Sequence, residues 1–211
     1  EHTVMKEASL IILNTPRALD MMANKYPHFA KKFTCLTNGF DEQDFSAADE
    51  KSFHKFTMVH AGSFYLDRNP LPFLEGLSLS LKKDASLRDN LQVIFAGRNS
   101  RSYERQAKAL GVDDIITYYD QLPKEQLFQY TKGAHLLLLF LGFAGQSDYV
   151  VPAKLYEYIA VKRPIMAFVP WASQTRLLLE EHGLGTAITS HDPEAASQAI
   201  LKYFHDHNHG P

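Results

Sequence analysis

Little in this sequence points to chemistry held by the residues most often used for it. Cysteine is confined to Cys35, which excludes an intrachain disulfide and a cysteine-based metal cluster and fits a reducing compartment such as the cytoplasm. Charge is nearly balanced, with 22 Lys and Arg against 24 Asp and Glu and a formal −2. The concentrated basic surface that nucleic acid asks for is therefore missing, and no nucleic-acid partner is expected. The longest apolar run, Leu136 to Leu141, is far short of the roughly 20 residues that span a bilayer. The chain opens with EHTVMKEAS, and no signal peptide is expected from it. Three nucleotide and hydrolase motifs are absent as well. No G-x-G-x-x-G follows the first strand of the main alternation, which weakens a dinucleotide reading, and no G-x-x-x-x-G-K-S/T occurs, which excludes a P-loop hydrolase. GFAGQS is not G-x-S-x-G, so a nucleophile elbow at Ser147 has no support. His205, His207 and His209 are spaced i, i+2, i+4 and do not share one helix face; they read as a fraying, solvated end and not as a metal site.

What is present is a regular alternation. The 211 residues, 45% hydrophobic and 22% charged, suit a soluble protein of one large domain, or one domain plus a fragment. From Phe56 onward six strand patterns alternate with helical ones. The strands are expected at Phe56–Gly62, Leu91–Gly97, Ile115–Tyr119, His135–Leu141, Pro164–Val169 and Thr186–Thr189. The helices follow at Leu71–Lys83, Ser100–Leu110, Pro123–Lys132, the stretch ending near Val161, Ser173–His182 and Asp192 to about His207. Such an order predicts an α/β fold, a doubly wound parallel sheet of Rossmann-like type. LLLLF suits a central strand, because a strand covered on both faces has no reason to alternate. Right-handed crossovers leave 3-2-1-4-5-6 as the expected order, with a ligand crevice outside the carboxyl ends of the first and fourth strands. Those ends are Gly62-Ser63 and the loop that starts at Gly142.

Residues 1–46 differ from this pattern. Ser9–Leu13 and Lys32–Thr37 are strand candidates, separated by a helix with Thr15 as its N-cap and Pro16 at its first position. Asp41 to Lys55 is polar and reads as a linker. The expected division is 1–46 as the tail of another domain plus linker, and 47–211 as the main domain. Strands without a sheet of their own expose edges and apolar side chains. Burial on a partner is expected, a homodimer of the fragment being one form of it.

Several side chains fall near the predicted crevice. Pro152 suits the first turn of a helix whose free amides favour an anion. On that helix Val151, Leu155, Tyr158 and Ile159 form the expected buried face. Lys154 and Glu157 lie beside it, about 60° apart around the axis. They serve either as a solvated ion pair worth roughly 0.2–0.5 kcal/mol, or as ligands, Lys154 to phosphate and Glu157 to two ribose hydroxyls. Across the crevice, Gly62 lets the backbone approach a ligand closely. Ser63 offers a hydroxyl and an amide, and Arg68 a guanidinium fork for phosphate oxygens. Arg98 is a further cation, and Tyr119, beside Tyr118 and Leu122, is a surface on which a nucleobase can lie. Ser147 belongs to the polar loop. His60 is a core or crevice-wall histidine.

These stretches carry a family resemblance. ASLIILNTPRALDMMANKYP followed by FTCLTNGFDEQDF resembles the exit from the first domain of group 1 type GT-B glycosyltransferases, where an Asn-Gly-x-Asp turn matches Thr37-Asn38-Gly39-Phe40-Asp41. HAGSFYLDRNPLPFLEGL is similar to the first strand and helix of their second domain. AKLYEYIAVKRPIMAF resembles their signature of Lys, then Glu three residues on, then Ala and a basic residue before Pro. The resemblance runs from about Ala8 to the last helix. It implies the second half of a GT-B fold, a nucleoside diphosphate sugar as donor substrate, no cofactor and no metal. It further implies transfer with retention to an acceptor hydroxyl of a glycan, lipid or other compound bound by the missing domain. It places the ribose-binding glutamate at Glu157. Two positions depart from the pattern. Tyr149 stands eight residues before Glu157, where many relatives carry an acid. Ser63 follows the loop glycine where many have Arg, and Arg68 matches the next cation only with a one-residue shift. On this reading the 211 residues bind donor but turn over poorly or not at all, in the cytoplasm or at the inner face of a membrane. An epimerase of the same fold, a non-catalytic nucleotide-sugar-binding module and an NAD-dependent enzyme are the alternatives.

Overall fold

A computed structural model describes residues 1–43, 49–65, 68–142, 148–189 and 191–209. Two parallel sheets divide them. In the first, β1 (Ile11–Leu13) pairs with β2 (Phe33–Cys35), Ile12 lying opposite Thr34. Helix α1 (His2–Glu7) precedes the pair and α2 (Pro16–Lys25) crosses between its strands. The start of α2 follows from its sequence: Thr15 Oγ1 accepts the Ala18 amide at 3.1 Å, and Pro16 occupies a first-turn position where no N–H is needed.

The second sheet has six strands: β3 (Phe56–Ala61), β4 (Leu91–Ala96), β5 (Ile116–Tyr119), β6 (Leu136–Phe140), β7 (Ile165–Phe168) and β8 (Gly185–Ile188). All pair in parallel, in the order β5-β4-β3-β6-β7-β8. Numbered within the sheet this is 3-2-1-4-5-6, as the crossover rule predicts. The connecting helices are α3 (Leu71–Lys83), the short α4 (Leu87–Asn90), α5 (Glu104–Leu110), α6 (Lys124–Gly133), α7 (Ala153–Val161) and α8 (Gln174–Glu181), with α9 (Pro193–His209) last.

Every residue of β3 and β6 is buried. On one face Phe73, Leu77, Phe95, Phe140, Phe168 and Ile200 form the core; on the other, Val59, Ile94, Leu137, Leu155, Tyr158 and Leu179. Burying each such side chain stabilises by roughly 1.5–3 kcal/mol, and two covered faces explain why LLLLF does not alternate. Helices α3 and α9 meet at Gly76, where a Cβ would come 2.6 Å from that of Ala196. Ile159, expected in the buried face of α7, is only partly buried, while Val151, Leu155 and Tyr158 are fully so.

Three expectations change. The helix expected from Ser100 opens as a 3-10 turn and becomes α only at Glu104, because Asn99 is left-handed (φ 61°) and ties its amide to the Phe64 carbonyl. The linker is not free over residues 49–55: the Lys51 amide donates to Gln129, and a Cβ on Gly133 would lie 1.9 Å from the Lys51 carbonyl. The last helix does not fray before its histidines. His207 sits edge-on to His135 at 4.3 Å, and His205 Nε2 is 3.0 Å from Asp84.

Candidate functional site

The carboxyl ends of β3, β4 and β5 are drawn together by ladder bonds that run on into the loops. Gly62 donates to Ala96 at 2.8 Å, Gly97 to Tyr119 at 2.8 Å, and Phe64 to Arg98 at 3.1 Å. The closest approach is at Gly97. Its φ is +152°, and a Cβ there would lie 2.2 Å from the Gly62 carbonyl oxygen, so glycine is required. A Cβ on Gly62, the glycine expected to let the backbone approach a ligand, would meet the His60 ring at 3.1 Å. Between these loops and α7 lies a cavity of about 210 Å³, lined by Gly62, Ser63, Gly97, Arg98, Asp120 and Lys154 among others. A neighbouring hollow of about 470 Å³ shares Arg98, Asp120 and Gln121 with it and continues past Arg101 and Ser102.

Helix α7 begins after Pro152, which holds the cap position with φ −66° and ψ 141° and so lies just outside the first turn. Pro152 itself offers no side-chain cap, so among the described residues the helix's first amides suit an anion arriving from the crevice. Lys154 and Glu157 are partly buried, 25% and 31% exposed, and form an i, i+3 ion pair. Lys154 also lines the crevice. Arg98 is exposed at the rim and makes no ion pair among the described residues. Two cations and one carboxylate, Asp120, thus face a small polar cavity. Asp120 accepts the Ser100 hydroxyl at 3.1 Å, which orients its carboxylate.

Of the residues predicted from sequence, Gly62, Ser63, Arg98 and Lys154 come together in this crevice. Arg68 lies elsewhere, its guanidinium over the Tyr65 ring at 4.3 Å. Glu157 stands one turn along α7 from Lys154, to which it is ion-paired, and does not line this cavity. Tyr119 is not in the lining: its ring packs edge-on to Tyr130 at 5.6 Å and its hydroxyl accepts from Tyr130. The alternation of β5 turns it toward α6, and Asp120, Gln121 and Leu122 take the position expected of it. Ser147 lies outside the described residues. His60 is 4% exposed and belongs to the core; burial holds its pKa down at about 4, assisted by the positive charges of Lys154 and Arg68. Asp120 and Gln121 were missed, although they stand after β5 as Gly97-Arg98 stand after β4, and the carboxyl-edge rule applies equally to both.

No family model and no curated relative matches the chain. Solved structures do. WaaG, a glycosyltransferase involved in lipopolysaccharide biosynthesis, matches with TM-score 0.72 and 17% identity over 92% of this chain and 53% of its own. Anabaena Alr3699/HepE, in complex with UDP and glucose, matches with TM-score 0.72 and 14% identity over 98% and 56%. An α,α-trehalose-phosphate synthase (UDP-forming) from Burkholderia xenovorans matches with TM-score 0.70 and 7% identity over 96% and 56%. At such identities the likeness is one of fold: the chain has the Rossmann-like α/β fold of the C-terminal domain in GT-B glycosyltransferases. It spans about half the length of these proteins.

Proposed function

We propose that this chain is the donor-binding half of a group 1 type GT-B glycosyltransferase, with residues 1–46 as the tail of its acceptor-binding half. The observation that carries the proposal is the convergence of Gly62, Ser63, Arg98 and Lys154 at the switch point of a 3-2-1-4-5-6 sheet, beside a helix start whose cap residue, Pro152, has no capping side chain. That set suits the diphosphate of a nucleotide-sugar. Amides and cations stabilise the leaving group as charge develops on it, a role that needs no metal, and transfer with retention to an acceptor hydroxyl follows the resemblance. Glu157 is assigned to the ribose, which requires it to exchange its bond to Lys154 for hydroxyl donors. The acceptor, a glycan, lipid or other hydroxyl compound, belongs to the other half. No described helix is long and apolar enough to cross a membrane; a cytoplasmic place, or a peripheral one at the inner face of a membrane, is proposed for the full-length protein.

Calorimetric titration with UDP, GDP, ADP and NAD tests this. At least one nucleoside diphosphate is expected to bind in preference to NAD, without added divalent metal and without steady sugar transfer by these 211 residues alone. Binding by none of the diphosphates would sink the reading. A non-catalytic nucleotide-sugar module is the second reading, favoured by Tyr149: its backbone carbonyl accepts the Thr15 hydroxyl at 2.6 Å and its ring faces Arg17 at 6.0 Å, so this position is committed to the N-terminal segment. Failure of the full-length protein to transfer from any donor would select that module.

A further inference from the structure

The crevice lies between the loops after β3, β4 and β5 and the helix that follows β6, and the β ladder between β3 and β6 does not reach the carboxyl end of their seam. The two strands pair only at Met58–Leu136 and Val59–Leu137. By contrast β3 stays paired with β4 as far as Ala61–Ala96, and β6 with β7 as far as Phe140–Phe168. Two side chains bridge the gap from opposite faces. On the α7 side, the Tyr158 hydroxyl accepts the Ala61 amide at 2.9 Å and donates to the Leu138 carbonyl at 3.2 Å. On the other side, His60 Nδ1 donates to the same carbonyl at 2.9 Å, its ring stacked on Phe64 at 4.8 Å. A carbonyl oxygen only accepts, so Nδ1 carries the proton and Nε2 is left as an acceptor. Among the described residues, His60 Nε2 is the buried side-chain polar atom without a partner. An apolar residue would fill the same aromatic pocket without that cost, so stability alone does not explain a histidine here.

Tyr158 stands on α7 next to Glu157 and one turn beyond Lys154. Its two bonds fix the rotation of that helix against the strand that leads into Gly62. We propose that Tyr158 and His60 are positioning residues of the nucleotide crevice: they take the place of ladder bonds at the switch point, hold β3 and β6 apart there, and set Lys154 opposite Gly62 and Ser63 at the spacing of a diphosphate. This rests on the nucleotide-binding reading above. The pair touches no ligand itself and acts through the strand ends.

The test measures binding of UDP, GDP and ADP, and of uridine, guanosine and adenosine, to the wild-type protein and to Tyr158→Phe, His60→Leu and His60→Asn, with the Tm of each. For the diphosphate that the wild type binds best, Tyr158→Phe and His60→Leu are expected to weaken affinity about tenfold, the scale of one buried hydrogen bond. Affinity for the matching nucleoside should change little. His60→Leu removes the orphaned nitrogen, so its Tm should hold or rise while its affinity falls, a separation that a purely structural role does not produce. His60→Asn, whose amide nitrogen overlies Nδ1, should restore most of the binding. Wild-type affinity for the diphosphate in His60→Leu, or a loss that only tracks Tm, would overturn the proposal even if Tyr158→Phe does not fold. Absence of diphosphate binding by the wild type would instead remove the nucleotide reading itself, and the proposal with it.

Discussion

The two parallel sheets start from the same unit and end differently. β1-α2-β2 and β3-α3-β4 are each two parallel strands joined by a helix. In the larger unit Leu77, Val93 and Phe95 are wholly buried; in the smaller one Ile12 and Leu36 are 55% and 66% exposed. Hydrophobic residues of the same kinds occupy both. The difference is the number of layers, since an apolar sheet face is stabilised only when another layer covers it. Six strands with helices on both faces supply that cover, whereas two strands and one crossing helix leave a face open. The small unit is anchored to the large one by polar bonds instead: Thr15 to the Tyr149 carbonyl, and Arg17 to the Ala172 carbonyl. Sequence patterning thus determines which residues want burial, and the neighbours decide which obtain it. Under the proposed function, the rest of the acceptor-binding half covers the open face.

The contrast can be broken most directly by truncation. Leu77→Ala is expected to cost about 2–5 kcal/mol of unfolding free energy, and Ile12→Ala no more than about 0.5 kcal/mol, both measured by urea denaturation. Equal losses would mean that the two sheets share one core after all. Next in size is Gly97→Ala. With φ at +152° and the Gly62 carbonyl where its Cβ must go, the strain is about 1–3 kcal/mol, and the two loops must part. Tm should fall and diphosphate affinity with it; retention of both would show that the loops separate freely.

The effect of pH is gradual, and it too should fall on the larger unit. Burial holds His60 and His135 down at about 4, against 6.5 when exposed. Between those values the unfolded chain binds protons that the folded one refuses, so stability is full above about pH 6.5 and lost as pH falls toward 4. For each histidine the slope is at most about 1.4 kcal/mol per pH unit. Thermal melts from pH 7 to pH 4 should show this decline, and His60→Leu should lessen it. A Tm independent of pH across this window would place both histidines in contact with water.

Much of the fold was legible. Thr15-Pro16 marked a helix start, LLLLF a strand covered on both sides, and the βα alternation with right-handed crossovers led to the observed strand order. Gly62, Ser63, Arg98 and Lys154 could be placed at one crevice because the carboxyl ends of parallel strands share an edge. Less could be said of individual side chains. Tyr119 turned inward because its side follows the alternation of β5, while Asp120, one residue on, turned to the crevice. Arg68 found an aromatic face at Tyr65 instead of the crevice lining.

By itself, then, the sequence determined the elements, their order and the edge at which a ligand site forms, since periodicity and chain connectivity are local properties. Tertiary structure alone decided that the strand-end loops come closest at Gly97, against the Gly62 carbonyl. It also decided that Tyr158 and His60 bridge the seam at the switch point. Each of those outcomes depends on atoms from separate strands and helices arriving at hydrogen-bonding or van der Waals distance. Ala61 and Tyr158 are 97 residues apart in the chain and 2.9 Å apart in the fold, a relation that no local pattern encodes.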